Sequence, residues 1–190
     1  LDQFANVTSL GSECFKGCTN LRTINLSNIE EIDNSCFRES SIVYIDAPKL
    51  KSIVGGDNFL KCANLTGDVS HPLLEGTIPT RAYYMSGISR VINLGKVTSI
   101  DSVDYLEAFG NCPNLWHVHL PETLTNIGNG AFKLCGELRE VISDNSTPPT
   151  IGSNVFSGTS SDLSIYVPDQ SVQAYREASG WLDYANRIWP

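Results

Sequence analysis

Apolar residues recur along this chain inside a fixed polar frame, not in long runs. The first copy of the frame is Glu13-Cys14-Phe15-Lys16-Gly17-Cys18-Thr19-Asn20-Leu21. Glu107-Ala108-Phe109-Gly110-Asn111-Cys112-Pro113-Asn114-Leu115 and Gly130-Ala131-Phe132-Lys133-Leu134-Cys135-Gly136-Glu137-Leu138 repeat it. Asn58-Phe59-Leu60-Lys61-Cys62-Ala63-Asn64-Leu65 fits the same frame, and Cys36-Phe37 and Val155-Phe156 fit it in part. Successive Phe residues lie 22, 22, 50, 23 and 24 positions apart. The interval of 50 holds one degenerate copy, Tyr83-Tyr84-Met85-Ser86-Gly87-Ile88, preceded by a longer loop from His71-Pro72 to Ile78-Pro79. Repetition at this period marks a solenoid, here of about seven coils of roughly 22–25 residues.

Each slot has a physical reading. Five positions before the Phe stands Leu10, Ile32, Val54, Ile127 or Ile151; Asp104 breaks the rule in the fifth coil, where Val103 or Ile100 substitutes. The stretch holding the Phe is too short for an independent helix and reads as one helical turn whose ring enters the core. The residues after it, Leu21, Ile24 and Leu26 in the first coil and Leu115, Val118 and Leu120 in the fifth, alternate with polar ones at their end. Period two predicts a short strand with its apolar side inward. Pro121 and Pro168 end such strands, because proline has no N–H for a ladder. A single coil cannot bury its own apolar side, but stacked coils can; at about 4.8 Å per strand, seven coils extend for roughly 30 Å.

The frame resembles the BspA-like leucine-rich repeat family of bacterial surface proteins, and Ile127-Gly128-Asn129-Gly130-Ala131-Phe132-Lys133-Leu134-Cys135 carries the closest match. The resemblance implies an α/β fold: a right-handed leucine-rich repeat solenoid with short parallel strands on one face and short helical turns and loops on the other. It also implies a secreted or cell-surface location and attachment to host or bacterial surface proteins. The solenoid is expected over residues 1–168, with 169–190 as a capping helix and aromatic tail of the same domain. In that cap Asp169 or Ser171 is positioned to cap a helix running to Ala178, Gly180 to end it, and Trp181, Leu182, Tyr184 and Ile188 to cover the last coil. Leu1–Val7 reads as the end of a coil whose strand is missing, so the array is expected to continue upstream.

Charge and chemistry narrow the function. Thirteen basic against 21 acidic residues give a net charge of −8, which argues against a nucleic-acid footprint or an anionic membrane surface. A composition of 41% hydrophobic and 18% charged residues is that of a folded soluble domain. The six cysteines sit in repeat slots. Cys18, Cys62, Cys112 and Cys135 follow the Phe by three, and Cys14 and Cys36 precede it where other coils carry Ala or Val. That predicts six sheltered free thiols, with a zinc site or bridges between stacked slots as the alternatives. Metalloprotease, phosphate-loop, nucleophile-elbow and calcium-loop motifs are all absent, so neither a catalytic site, a metal site nor a cofactor is expected. Four Asn-x-Ser/Thr triplets, at Asn6, Asn25, Asn64 and Asn145, carry little weight as short matches.

What remains is recognition. Outward strand residues stack into rows, one of Thr23, Tyr44, Arg90, His117 and Glu140 and another of Asn25, Asp46, Asn93 and His119, with Trp116 at the edge. Tyr44, Trp116, His117 and His119 are expected at the centre of a contact with a host or bacterial surface protein or glycan, in a non-enzymatic adhesion module. The alternatives are a spacer in a longer surface protein and an enzyme of unrecognised class. An open first coil should exchange its amide hydrogens fastest over about the first 25 residues and slowest in the middle coils; uniform strong protection from Val7 onward would contradict this.

Overall fold

The computed structural model describes residues 6–103 and 105–190. Asp104 and the Leu1–Ala5 part of the N-terminal segment lie outside the described residues. One aromatic ring per coil enters the centre of the stack, and the rings form a continuous column: Phe15, Phe37, Phe59, Tyr83, Phe109, Phe132 and Phe156. Neighbouring centroids are 5.0–5.7 Å apart and the planes lie within 18° of parallel. Tyr83 takes the Phe position of the degenerate coil, as the interval of 50 residues required. Trp181 ends the column, 6.4 Å from Phe156 and tilted by 48°.

The backbone around each ring is as regular as the ring itself. From Phe15 to Phe132 the N–H of each column residue donates to the carbonyl of the residue before the next ring, as in Phe15 to Cys36 (2.8 Å), Tyr83 to Ala108 (2.8 Å) and Phe132 to Val155 (3.1 Å), while the Phe156 N–H donates to the Tyr184 hydroxyl. The N–H two positions later donates likewise, as in Lys61 to Tyr84 and Leu134 to Ser157, both 2.8 Å. Between these bonds the amides close i→i+3 turns, such as Lys16 to Glu13 and Cys18 to Phe15. The short turn expected from the sequence therefore also serves as a hydrogen-bonded column joining coil to coil.

Two further columns are strands, all parallel. The front sheet contains Asp68–Ser70, Arg90–Asn93, His117–Leu120, Glu140–Ser143, Ser164–Tyr166 and Ile188–Trp189 in spatial sequence. The back column contains Ser9–Leu10, Glu31–Ile32 and Ser52–Ile53, then Glu75–Ile78, Lys96–Ile100, Asn126–Ile127 and Thr150–Ile151. The expected loop from His71 to Pro79 holds the regular back strand Glu75–Ile78. The next coil carries one extra residue in each strand, Ile92 and Thr98, at the register shifts opposite Val69/Ser70 and Gly76/Thr77. The front strand expected at Ile24–Leu26 does not form, because the first three coils share single backbone bonds there, Val43 to Arg22 and Thr66 to Val43.

Several slots differ from the sequence expectation. In the third coil the inward residue is Ile53, paired with Ile32, while Val54 is exposed. In the fifth, of the two expected candidates, Ile100 is the inward one, paired with Ile127, and Val103 is exposed. The cap helix is Val172–Glu177 and has no side-chain cap: Ser171 instead donates to the carbonyl of Ser146 at 2.8 Å. Tyr175, Trp181 and Ile188 are buried against the last coil, and Leu182 is exposed. The tail does more than cover the stack, since Ile188–Trp189 pairs with Ile165–Tyr166 and extends the front sheet by one strand.

All six cysteines are free, but they are not equally sheltered. Cys36, Cys62, Cys112 and Cys135 are buried, Cys18 is half-buried and Cys14 is exposed, because no described coil packs over the first one. The slot three after the ring needs a donor as well as a small volume. Cys62 donates to the carbonyl of Phe37 (2.9 Å), Cys112 to that of Tyr83 (3.1 Å) and Cys135 to that of Phe109 (3.1 Å). Ser40 and Ser86, buried, occupy the same slot in the second and fourth coils. Burial pushes the Cys62 thiol up to about 11, so the donor keeps its proton.

The tyrosine in the column has a dedicated partner. His71 is completely buried, and its Nε2 lies 2.9 Å from the Tyr83 hydroxyl. Its Nδ1 has no partner among the described residues. Burial lowers the His71 pKa from 6.5 to about 4. The unfolded chain thus takes up a proton near pH 6.5 that the native one resists until about pH 4, and native stability falls with pH through this window by about 3 kcal/mol. Chemical denaturation of the His71→Gln variant across pH 4–7 should lack that part of the pH dependence; an unchanged pH slope would show that His71 is not the group responsible. Phe109 is buried between two stacked rings, whereas Phe15 is half-buried. Phe109→Ala should therefore cost about 3–5 kcal/mol in equilibrium unfolding, and Phe15→Ala distinctly less.

Candidate recognition surface

The front sheet turns its alternate residues out of the core, and strand pairing decides which of them meet. Arg90, His117 and Glu140 fall in one row, through the pairs Arg90↔His117 and His117↔Glu140; Asp68 and Ser164 extend it at either end. Arg90 forms a two-pronged bond to Asp68, at 2.8 and 2.6 Å, which holds its guanidinium firmly protonated. His117 Nδ1 lies 2.5 Å from Glu140, with only 14% of its side chain exposed.

The second row departs from the sequence expectation. Pairing between the fourth and fifth coils covers Arg90↔His117 and Val91↔Val118 and does not reach Asn93, which pairs with Ser70 beyond a register shift. On the other side His119 is paired with Ile142, Ile142 with Tyr166, and Tyr166 with Trp189. Tyr166 is 38% and Trp189 47% exposed. His119 also reaches Asp144 at 2.8 Å, so two His–carboxylate bonds tie the fifth coil to the sixth. Ile92, Asn93, Glu122 and Asp144 rim a shallow hollow beside His119.

Trp116 stands at the edge of these rows. Its ring lies 5.8 Å from the Arg90 guanidinium and 5.5 Å from the His117 ring, yet 38% of the residue is exposed. Arg90 is thus held from two sides, by carboxylate and by ring face. Pro113, Asn114, Glu137 and Arg139 complete a second hollow around Trp116, with Arg139 bonded to Glu137 at 2.8 Å. Tyr44 is 50% exposed but belongs to the second coil, beside Thr23, Asn25 and Asp46. Three coils separate it from Trp116, about 15 Å at strand spacing. The structure thus brings Arg90, Trp116, His117, His119 and Glu140 together and leaves Tyr44 apart.

Tyr166, Trp189, Asp68 and Asp144 belong to the surface and were missed as site residues. Tyr166 sits in the alternation Ile165-Tyr166-Val167 and was open to the same reasoning as His117. Trp189 gave no signal, because its strand carries no repeat. The cluster offers ring faces, donors and carboxylates on a rigid sheet, an arrangement suited to binding.

Among the described residues no group of three His, Cys, Asp or Glu could hold a metal ion. Among the same residues no helix is long and apolar enough to cross a membrane. No curated protein sequence matches the chain. The family model described as BspA type leucine rich repeat region matches in six copies, over residues 2–105 and 104–179. With that match covering most of its length, and with one aromatic ring per coil in a single column, the chain belongs to the BspA-type leucine-rich repeat family, a repeat module of the protein-interaction kind.

Proposed function

We propose that the front sheet is a non-enzymatic adhesion face of a bacterial cell-surface or secreted protein, binding a protein or glycan through Trp116, Tyr166, Trp189 and the His117–Glu140 and His119–Asp144 pairs. The observation that supports this most is the exposure of three large aromatic residues on one sheet whose inward side is packed. Large rings left on a surface are unusual unless something covers them, and Trp, Tyr and Arg dominate interface hot spots. The family's common association with bacterial surfaces supports the location. Arg90 and the two histidines are already oriented by their partners, so a ligand would meet preset donors and lose little affinity in ordering them.

Binding of the 190-residue chain to immobilised extracellular-matrix proteins and glycans tests the reading. For a ligand so found, Trp116→Ala should weaken binding by about 2 kcal/mol, roughly thirtyfold in Kd, with little change in the unfolding midpoint. Tyr44→Ala, three coils away, should have a smaller effect. Binding that survives Trp116→Ala and Trp189→Ala alike would place the contact elsewhere, and absence of binding to every immobilised probe would favour a spacer.

A further inference from the structure

Cys14 and Cys36 occupy the same slot in the first two coils, directly before Phe15 and Phe37. Their sulfurs are 3.3 Å apart and share a hydrogen bond. The Phe15 N–H bond to the Cys36 carbonyl, 2.8 Å, fixes the register between the two residues. Adjacent strands of a parallel ladder run about 4.8 Å apart, inside the Cα separation of roughly 4.4–6.8 Å that a disulfide spans. The accessibilities are unequal: Cys14 is exposed, and Cys36 is wholly buried beneath it.

A second stacked thiol pair supplies the contrast. Cys112 and Cys135 also hold one slot in adjacent coils, but both are fully buried and each donates to a column carbonyl. A reagent in solution reaches neither of them. Only the pair in the first two coils combines contact between sulfurs with an outward-facing member.

We propose that Cys14 and Cys36 are a thiol–disulfide exchange site, which a small-molecule disulfide such as oxidised glutathione converts into a covalent bridge between the first two coils. Cys14 loses its proton to solvent and its thiolate attacks one sulfur of the reagent. The reagent's S–S bond breaks, a Cys14–glutathione disulfide forms and one glutathione thiolate leaves. The Cys36 sulfur, once deprotonated, attacks the Cys14 sulfur and expels the second glutathione as thiolate. Both leaving thiolates take up a proton, so two protein thiols are oxidised while one reagent disulfide is reduced to two thiols. Burial holds the Cys36 thiol well above its ordinary range, which makes the second step the slower one and accelerates it as pH rises.

The bridge would join two coils whose back strands pair over two residues. Closing the bridge should slow hydrogen exchange about tenfold at the Phe15 and Gly17 amides, which donate to the second coil, and leave the Phe109 and Asn111 amides unchanged.

The test is incubation of the intact native chain with oxidised glutathione, followed by alkylation in denaturant and peptide mapping by mass spectrometry. The expected product has lost two hydrogens, carries a Cys14–Cys36 linked peptide and retains four alkylatable thiols, Cys18, Cys62, Cys112 and Cys135. Cys36→Ala, with the residue that Ala82, Ala108 and Ala131 supply in that slot, should trap glutathione on Cys14. Cys14→Ala should leave five alkylatable thiols. Were Cys36→Ala not to fold, the time course on the unsubstituted chain decides, since the glutathione adduct must appear first and then give way to the bridge. A persistent adduct on Cys14, a Cys14–Cys18 bridge, or six unreacted thiols would each overturn the proposal.

Discussion

The contact between one ring and the next is the constraint on which the rest of this structure depends. From Phe15 to Phe132 each column residue meets the following coil twice, through a face-to-face ring at 5.0–5.7 Å and through an N–H bond to a carbonyl. The ring contact fixes the rise and the backbone bond fixes the register. With both set, the strand positions of successive coils fall opposite one another and the two strand columns can pair. The degenerate fourth coil is tolerated because Tyr83 preserves both contacts. Its added hydroxyl would be costly in such a core, and His71 is the group that satisfies it.

The same logic separates what could be read in the sequence from what could not. The column was legible because a large ring at a constant period has few readings, and the long Phe interval disclosed its missing member. Ile53 and Val54 are both apolar and adjacent, so only pairing with Ile32 decides between them. The back strands are mostly two residues long, below the length at which alternation is visible. The cysteines of the slot three after the ring indicate by themselves only a small, sheltered position. Ser40, Ser86 and Thr159 in the same register carried the missing information, since all are donors and none is a hydrophobe. On the surface, the row of Arg90, His117 and Glu140 followed from periodicity. The row through Ile142, Tyr166 and Trp189 needed the strand added by the tail.

The proposed recognition surface lies where the front strands pair over the most positions. Between the fifth and sixth coils the front strands pair over four positions, and two His–carboxylate bonds cross the same step. Between the fourth and fifth, Trp116 leans on Arg90. Residues offered to a partner there have little freedom of their own. Tyr44, by contrast, belongs to coils that share only single backbone bonds on that face.

The turns around the column contain many non-glycine residues in the left-handed region, among them Glu39 (φ 57°), Lys61 (φ 56°), Met85 (φ 56°) and Leu134 (φ 60°). Each stands two positions after its ring and donates its N–H to the next coil. Such a conformation is unfavourable for these residues by themselves, and it is the neighbouring carbonyl that stabilises it. A coil on its own would therefore relax to another backbone shape, so the smallest self-consistent unit is a pair of coils. Order should start at one such pair and spread outward in both directions, each finished layer acting as the template for the one beside it.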